Sequence, residues 1–106
     1  MALIQTKGFE VLEEKDNLDF NKIIEEYSRK IERKLKNLNS IVVDLKEYKK
    51  LGNKKKFSIH VRIADSYKIF EADASDWDFK RTLHKVFNKL EKEIEHRFHV
   101  SDQGKR

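Results

Sequence analysis

Cysteine and proline are absent from this chain of 106 residues, and glycine occurs only three times. A chain without cysteine has no disulfide, no thiolate metal site and no cysteine nucleophile, which fits a reducing compartment, and we expect the cytoplasm. No apolar run approaches the roughly 20 residues that a membrane-spanning helix needs, and residues 1–6 lack the pattern of a signal peptide. Three glycines leave no glycine-rich phosphate loop. These absences argue against redox enzymes, exported proteins and membrane proteins.

Charged side chains are the most abundant class in the sequence. They make up 41% of the chain, with 24 Lys and Arg against 19 Asp and Glu. The net charge of +5 favours a polyanionic partner such as nucleic acid. Seven Phe, three Tyr and one Trp supply bulky side chains for one core. We therefore expect a single globular domain over residues 1–100 and a disordered basic tail over residues 101–106.

Two segments have the 3.6-residue apolar period of amphipathic helices. The first runs from about Phe20 to about Asn37, and the second runs towards Phe98. Candidate N-caps precede each segment: Asp16, Asn17 and Asp19 for the first, and Asp76 or Asp78 for the second. The aromatic residues on the apolar sides of helices and strands are expected in the core: Phe20, Tyr27, Phe57, Phe79, Phe87 and Phe98.

The remaining apolar segments have the pattern of β-strands. Four strands are predicted: Leu3–Leu12 with a bend at Gly8, Ile41–Leu45 leading to Tyr48, Phe57–Ile63, and Tyr67–Ala74. The second and third should form an antiparallel hairpin, since a Gly-Asn pair lies between them. The order β-α-β-β-β-α predicts an α+β fold, a two-layer sandwich in which two helices pack on one face of a four-stranded sheet.

Basic residues concentrate on the two helices and at the tip of the hairpin. Six of the eleven residues from Lys46 to Lys56 are lysine. We predict RNA-phosphate contacts from Lys22, Arg29, Lys30, Arg33 and Lys36 on the first helix, from Lys49, Lys50, Lys54, Lys55 and Lys56 at the hairpin, and from Arg81, Lys85 and Lys92 on the second helix. The alternatives are ordinary solvated helix faces and a lysine-rich turn that prevents strand association.

Patterns for catalysis or metal binding are weak. His96 and His99 stand close to Glu95, but no further strong ligand follows at a suitable spacing. No Ser-His-Asp or paired-carboxylate arrangement is evident either. We expect no metal, no cofactor, no small-molecule substrate and no enzymatic activity. Tyr48 and Trp77 lie outside the apolar stripes. Trp77 is expected to pack against the start of the second helix, and the alternative is that it stacks on a base.

The last third of the chain carries a more specific pattern in Phe70–Ala74, Asp78, Leu83 and Lys89–Ile94. These segments resemble the small-residue strand, capping Asp and K-L-E-x-Q-L helix of the ribosome hibernation promoting factor family, also described as ribosome-associated translation inhibitors. Trp77 before the capping Asp is similar to an archaeal variant of the pattern. Long-form members continue into a second, dimerising domain, so the resemblance implies a short form.

The resemblance implies a protein that sits on the small ribosomal subunit in the channel of mRNA and tRNA. It implies contacts of basic side chains with rRNA, inhibition of translation by occupancy, a role in stress, and a monomer or weak dimer. Two other functions stay open. One is a shape-reading binder of structured RNA, similar to a double-stranded RNA-binding domain. The other is a protein interaction module that uses the sheet face bearing His60 and Arg62.

Overall fold

The chain forms a four-stranded sheet with two helices on one side. The computed structural model describes residues 3–49 and 55–103, with side chains over 3–48 and 55–97. The elements are β1 (Leu3–Lys7), a 3-10 turn (Phe9–Val11), α1 (Glu14–Lys34), β2 (Leu38–Lys49), β3 (Lys55–Asp65), β4 (Ile69–Asp76) and α2 (Phe79–Gln103). The order of helices and strands confirms the predicted α+β fold.

The sheet has the strand order β1-β2-β3-β4. β1 runs parallel to β2, whereas the β2–β3 and β3–β4 pairs are antiparallel. Parallel neighbours require a crossover connection, which α1 provides. Because side chains alternate along a strand, β3 turns its apolar residues within Phe57–Ile63 towards the helices and turns His60 and Arg62 to the opposite side. We call that opposite side the outer face of the sheet.

One hydrophobic core joins both helices to the sheet. Ile31 of α1, Val61 of β3 and Leu90 of α2 belong to it and are shielded from solvent. Tyr27 and Phe87 stack across the helices with ring centroids 4.8 Å apart. Burial is confirmed for five of the predicted core aromatics: Phe20, Tyr27, Phe57, Phe79 and Phe87. The side chain of Phe98 lies outside the described part of the chain.

Two strands are bounded by turns at positions that differ from the prediction. β1 ends at Lys7, because Gly8 adopts left-handed backbone with a φ of 79° and Phe9–Val11 form the 3-10 turn. The predicted bend at Gly8 is present, but no strand follows it. β4 begins two residues after Tyr67, whose backbone N–H donates to the Asp65 carboxylate at 3.1 Å. This side-chain turn replaces the expected start of the strand.

The first helix is longer at its start and shorter at its end than predicted. α1 begins at Glu14 and is preceded by Glu13, which makes no side-chain cap hydrogen bond. The three predicted caps therefore lie inside the first turns of the helix: Asp16, Asn17 and Asp19. At the other end Leu35 leaves the helical conformation, with φ −117° and ψ 97°. Polar residues before Phe20 obscured the start, since they add nothing to the apolar period.

The second helix begins where one of its two predicted caps places it. The Asp78 carboxylate accepts a hydrogen bond from the backbone N–H of Arg81 at 3.0 Å, which is the geometry of an N-cap. Helical backbone continues to Gln103, three residues into the segment 101–106 that was expected as a tail. Residues 104–106 lie outside the description.

Gly8 offers a direct test of the β1 boundary. A Cβ at this position would collide with the backbone carbonyl of Leu45, and its φ is unfavourable for any L-residue. We expect Gly8→Ala to lower the free energy of unfolding by about 2 kcal/mol, measured by denaturant titration. Lys7→Ala is the matched control and should change it by less than about 0.5 kcal/mol. Equal stability of the two variants would contradict the described backbone.

Candidate nucleic-acid interface

A row of cations follows the side of α1 that faces away from the sheet. Lys22, Arg29 and Arg33 are exposed and stand seven and four residues apart, so they project from one side of the helix. Lys15 is exposed seven residues before Lys22 and extends the row. Sequence reasoning missed Lys15 because it placed the helix start later, although the spacing of seven was visible. These four residues are the α1 row; Lys36 lies outside it, in the turn after α1.

The cations of α1 differ in how far they are already paired. The Arg29 Nη2 atom lies 2.6 Å from Glu25 Oε1, and both side chains are exposed. Such a surface pair contributes little and can be exchanged for a phosphate. The Lys30 Nζ atom lies 5.1 Å from the centroid of an aromatic ring of the same helix. Within the described side chains, Lys22 and Arg33 make no ion pair and remain available to an anion.

The cations of α2 are arranged beside one buried carboxylate. Arg81, Lys85 and Lys92 are exposed on one side of α2 and form the α2 row. Asp76 is only 8% exposed, and its carboxylate lies 2.6 Å from Lys85 Nζ and 3.4 Å from Arg81 Nη1. It also accepts the backbone N–H groups of the next two residues. Asp76 thus fixes the position of two cations and cancels part of their charge.

The two helices run side by side in the same direction. The Tyr27 hydroxyl lies 2.9 Å from His84 Nδ1. Further along both helices, the Lys34 Nζ atom lies 2.7 Å from Glu95 Oε1 and 3.7 Å from Glu91 Oε2. Burial and then the charge of Glu91 raise the pKa of Tyr27, so its hydroxyl stays protonated. Because packed helices lie about 8–10 Å apart, the α1 row and the α2 row lie side by side on one surface.

The predicted lysine cluster of the hairpin is described only in part. Three members lie outside the described residues or side chains: Lys49, Lys50 and Lys54. The Lys55 Nζ atom lies 3.6 Å from Glu47 Oε1 across the hairpin. The Lys56 Nζ atom lies 5.9 Å from the ring centroid of Trp77. Both described lysines therefore have local partners.

Among the described residues, no group of three or more His, Asp and Glu side chains is placed to hold a metal ion. The side chain of His99, one of the candidate ligands, lies outside the description. No helix over the described residues is long and apolar enough to cross a membrane.

The arrangement defines a small two-layer α+β protein with a cationic helical side, and this architecture has known counterparts. A ribosomal subunit interface protein from Coxiella burnetii aligns over 93% of this chain and 99% of its own, with a TM-score of 0.62 and 14% identity. The N-terminal domain of Thermus thermophilus Protein Y aligns over 91% of this chain and 98% of its own, with a TM-score of 0.60 and 13% identity.

The sequence matches no protein-family model and none of the curated proteins. At 13–14% identity, the likeness to the two solved structures establishes a shared fold. That shared fold agrees with the β-α-β-β-β-α order predicted from the sequence.

Asp76 makes stability depend on pH. The hydrogen bond from Lys85, followed by those from the backbone N–H groups, outweighs burial and lowers the pKa of its carboxyl. A carboxyl with a lowered folded-state pKa stabilises the protein above its unfolded pKa, near 4, and loses that contribution as the pH falls through the folded value. We expect Asp76→Asn to unfold at a lower temperature than the wild type at pH 7, with a gap that narrows below about pH 4.

The control for this measurement is Asp73→Asn on the outer face, where the side chain is exposed. It should leave the unfolding temperature nearly unchanged at neutral pH. A gap between wild type and Asp76→Asn that stays constant from pH 7 to pH 2 would show that the charge of Asp76 has no part in stability.

Proposed function

We propose that this protein is a ribosome-associated hibernation factor that inhibits translation. In this proposal it binds rRNA of the small subunit in the mRNA and tRNA channel through its basic helix and hairpin surfaces. The observation that carries the proposal is the combination of two cation rows on parallel helices with a fold shared by a ribosomal subunit interface protein and by the Protein Y N-terminal domain. The protein acts by occupancy, without catalytic turnover.

The geometry of the rows suits a phosphate backbone. From Lys15 to Arg33 the α1 row extends over eighteen residue steps, or about 27 Å at a rise of 1.5 Å per residue. Lysine and arginine bind phosphate without reading sequence, and A-form RNA is recognised mainly by shape and backbone. Rows on a rigid two-layer domain would therefore position the protein on folded rRNA without contacts to particular bases.

Two alternatives agree less well with the fold. A domain similar to a double-stranded RNA-binding domain has no need of a strand before its first helix, whereas β1 pairs with β2 over five residues here. A protein interaction module would use the outer face, where the His60 Nε2 atom lies 3.3 Å from Glu71 Oε1. Cations on that face alternate with carboxylates, so it lacks the single-sign row that α1 presents.

Charge reversal on the α1 row tests the binding surface. We expect Lys22→Glu with Arg33→Glu to weaken co-sedimentation with small subunits. A lost phosphate contact costs about eightfold in affinity at 0.1 M monovalent salt, so two contacts cost about sixtyfold. Lys7→Glu with Arg62→Glu makes the same change in net charge on the sheet and should bind almost as the wild type does. Equal losses in both double variants would show that net charge, not the row, governs binding.

The response to salt separates RNA contacts from protein contacts. If phosphates dominate, the logarithm of the association constant should fall linearly with the logarithm of salt concentration, by about 0.7 to 0.9 per phosphate neutralised. The variant Lys22→Glu with Arg33→Glu should have a slope smaller by about 1.4 to 1.8 than that of the wild type, because two phosphate contacts are lost. Binding that is flat with salt would favour the protein interaction module.

A further inference from the structure

Three side chains that the core does not use meet at the hairpin end of the outer face. Tyr48 of β2 pairs with Lys56 of β3, so both side chains project to the same side of the sheet. The Lys56 ammonium in turn lies 5.9 Å from the ring centroid of Trp77, directly after β4. One lysine therefore lies between two aromatic residues carried by different strands. We call this set the aromatic clamp.

Both rings are open to solvent. Tyr48 is 49% exposed and Trp77 is 48% exposed, whereas the core aromatics such as Phe87 are fully shielded. Trp77 forms part of the wall of a surface cavity of about 790 Å³ that Leu12, Phe57, Glu13, Asp16 and Glu47 also line. Exposed aromatic rings beside a cation are the arrangement on which single-stranded nucleic acids stack their bases.

On the outer face, the charges next to the aromatic clamp favour an anionic ligand. Next to the aromatic clamp, towards the middle of the sheet, three paired residues of neighbouring strands lie on the outer face. They are Lys46, Ser58 and Ser75, and none of them is a carboxylate. Lys46 is exposed and makes no ion pair within the described side chains. The nearest carboxylates of this face are those of Asp44 and Asp73. Both residues pair with His60, two residues further along β3 than Ser58. A phosphate at Lys56 would therefore meet cations and hydroxyls first.

The aromatic clamp also adjoins the α2 row. The backbone N–H of Trp77 donates to the Asp76 carboxylate at 2.6 Å, and the same carboxylate holds Arg81 and Lys85. Cations therefore continue from the start of α2, past Trp77, to Lys56. An RNA strand whose backbone lies on the α2 row can reach the outer face by passing around this edge of the sheet.

We propose that Tyr48 and Trp77 stack unpaired bases of single-stranded RNA while Lys56 binds a phosphate between them. β2 and β4 lie on either side of β3. Tyr48 belongs to β2 and Trp77 directly follows β4, so their backbone segments lie about 10 Å apart. This separation suits nucleotides of an extended strand and not the regular stack of a duplex. The proposal rests on the proposed function for its setting, since the ribosome provides the RNA, but the site can be tested on RNA alone.

Trp77 is the only tryptophan of the chain, so its fluorescence reports on the site directly. We expect a twelve-residue oligouridylate to quench the emission in a saturable manner. Tyr48→Leu should weaken the affinity about tenfold, because one stacked base is lost. Tyr48→Phe keeps the ring and should bind like the wild type, and Lys56→Gln should weaken binding and reduce its dependence on salt.

The matched control is Tyr67→Leu. Tyr67 is 85% exposed but follows the far end of β3, about 30 Å from Lys56 at 3.3 Å per residue. Its replacement should leave the oligouridylate affinity unchanged. Equal weakening by Tyr67→Leu and Tyr48→Leu would overturn the proposal, and so would equal quenching by a twelve-base-pair RNA duplex, since paired bases cannot stack on the rings.

Ribosome co-sedimentation of the same variants separates this proposal from the proposed function. Absence of quenching by oligouridylate, with salt-sensitive ribosome binding retained, would overturn the aromatic clamp and leave the function intact. Quenching that depends on Tyr48 and Lys56, in a protein that binds no ribosomal subunit, would support the aromatic clamp and overturn the function.

Discussion

The inner side of β3 is the surface on which the rest of the fold depends. Ile59, Val61 and Ile63 are fully shielded there, and β3 pairs with a neighbour along both edges. An apolar sheet face must be covered, and α2 packs over β3 and β4. The parallel pairing of β1 with β2 brings α1 across the same face, beside α2. Because both helices cover the same apolar face of the sheet, they lie next to each other and their charged sides face the solvent.

This layering decides which charges are available for binding. α1 carries six basic and six acidic residues, so its net charge is zero and only the arrangement of its cations distinguishes it. On α2, Arg81 and Lys85 are held by Asp76. The net charge of +5 therefore does not show which cations an RNA would encounter. The unpaired members of the rows, such as Lys22 and Arg33, matter more than the total.

The fold was predictable because the two periods in the sequence are clear. The helical stripes and the alternation along β3 each leave one side apolar. From these patterns the two layers and the order of the elements along the chain could be predicted. The start of α1 was not predictable from that signal, because Glu13 provides no cap and the first turns contain few apolar residues. The ion pairs of Arg81 and Lys85 were not predicted either, because Asp76 was considered only as a candidate N-cap and its burial is a property of the folded chain.

Asp76 connects stability with both proposed surfaces. Its carboxylate orients Lys85 on the helical side, and it binds the backbone N–H of Trp77 at the edge of the outer face. A buried carboxylate with several donors is rigid, because each donor would be left unsatisfied if it moved. Trp77 and the α2 row therefore keep a fixed spacing. RNA that bends around the sheet edge would meet two surfaces already aligned, which lowers the entropy cost of binding to both.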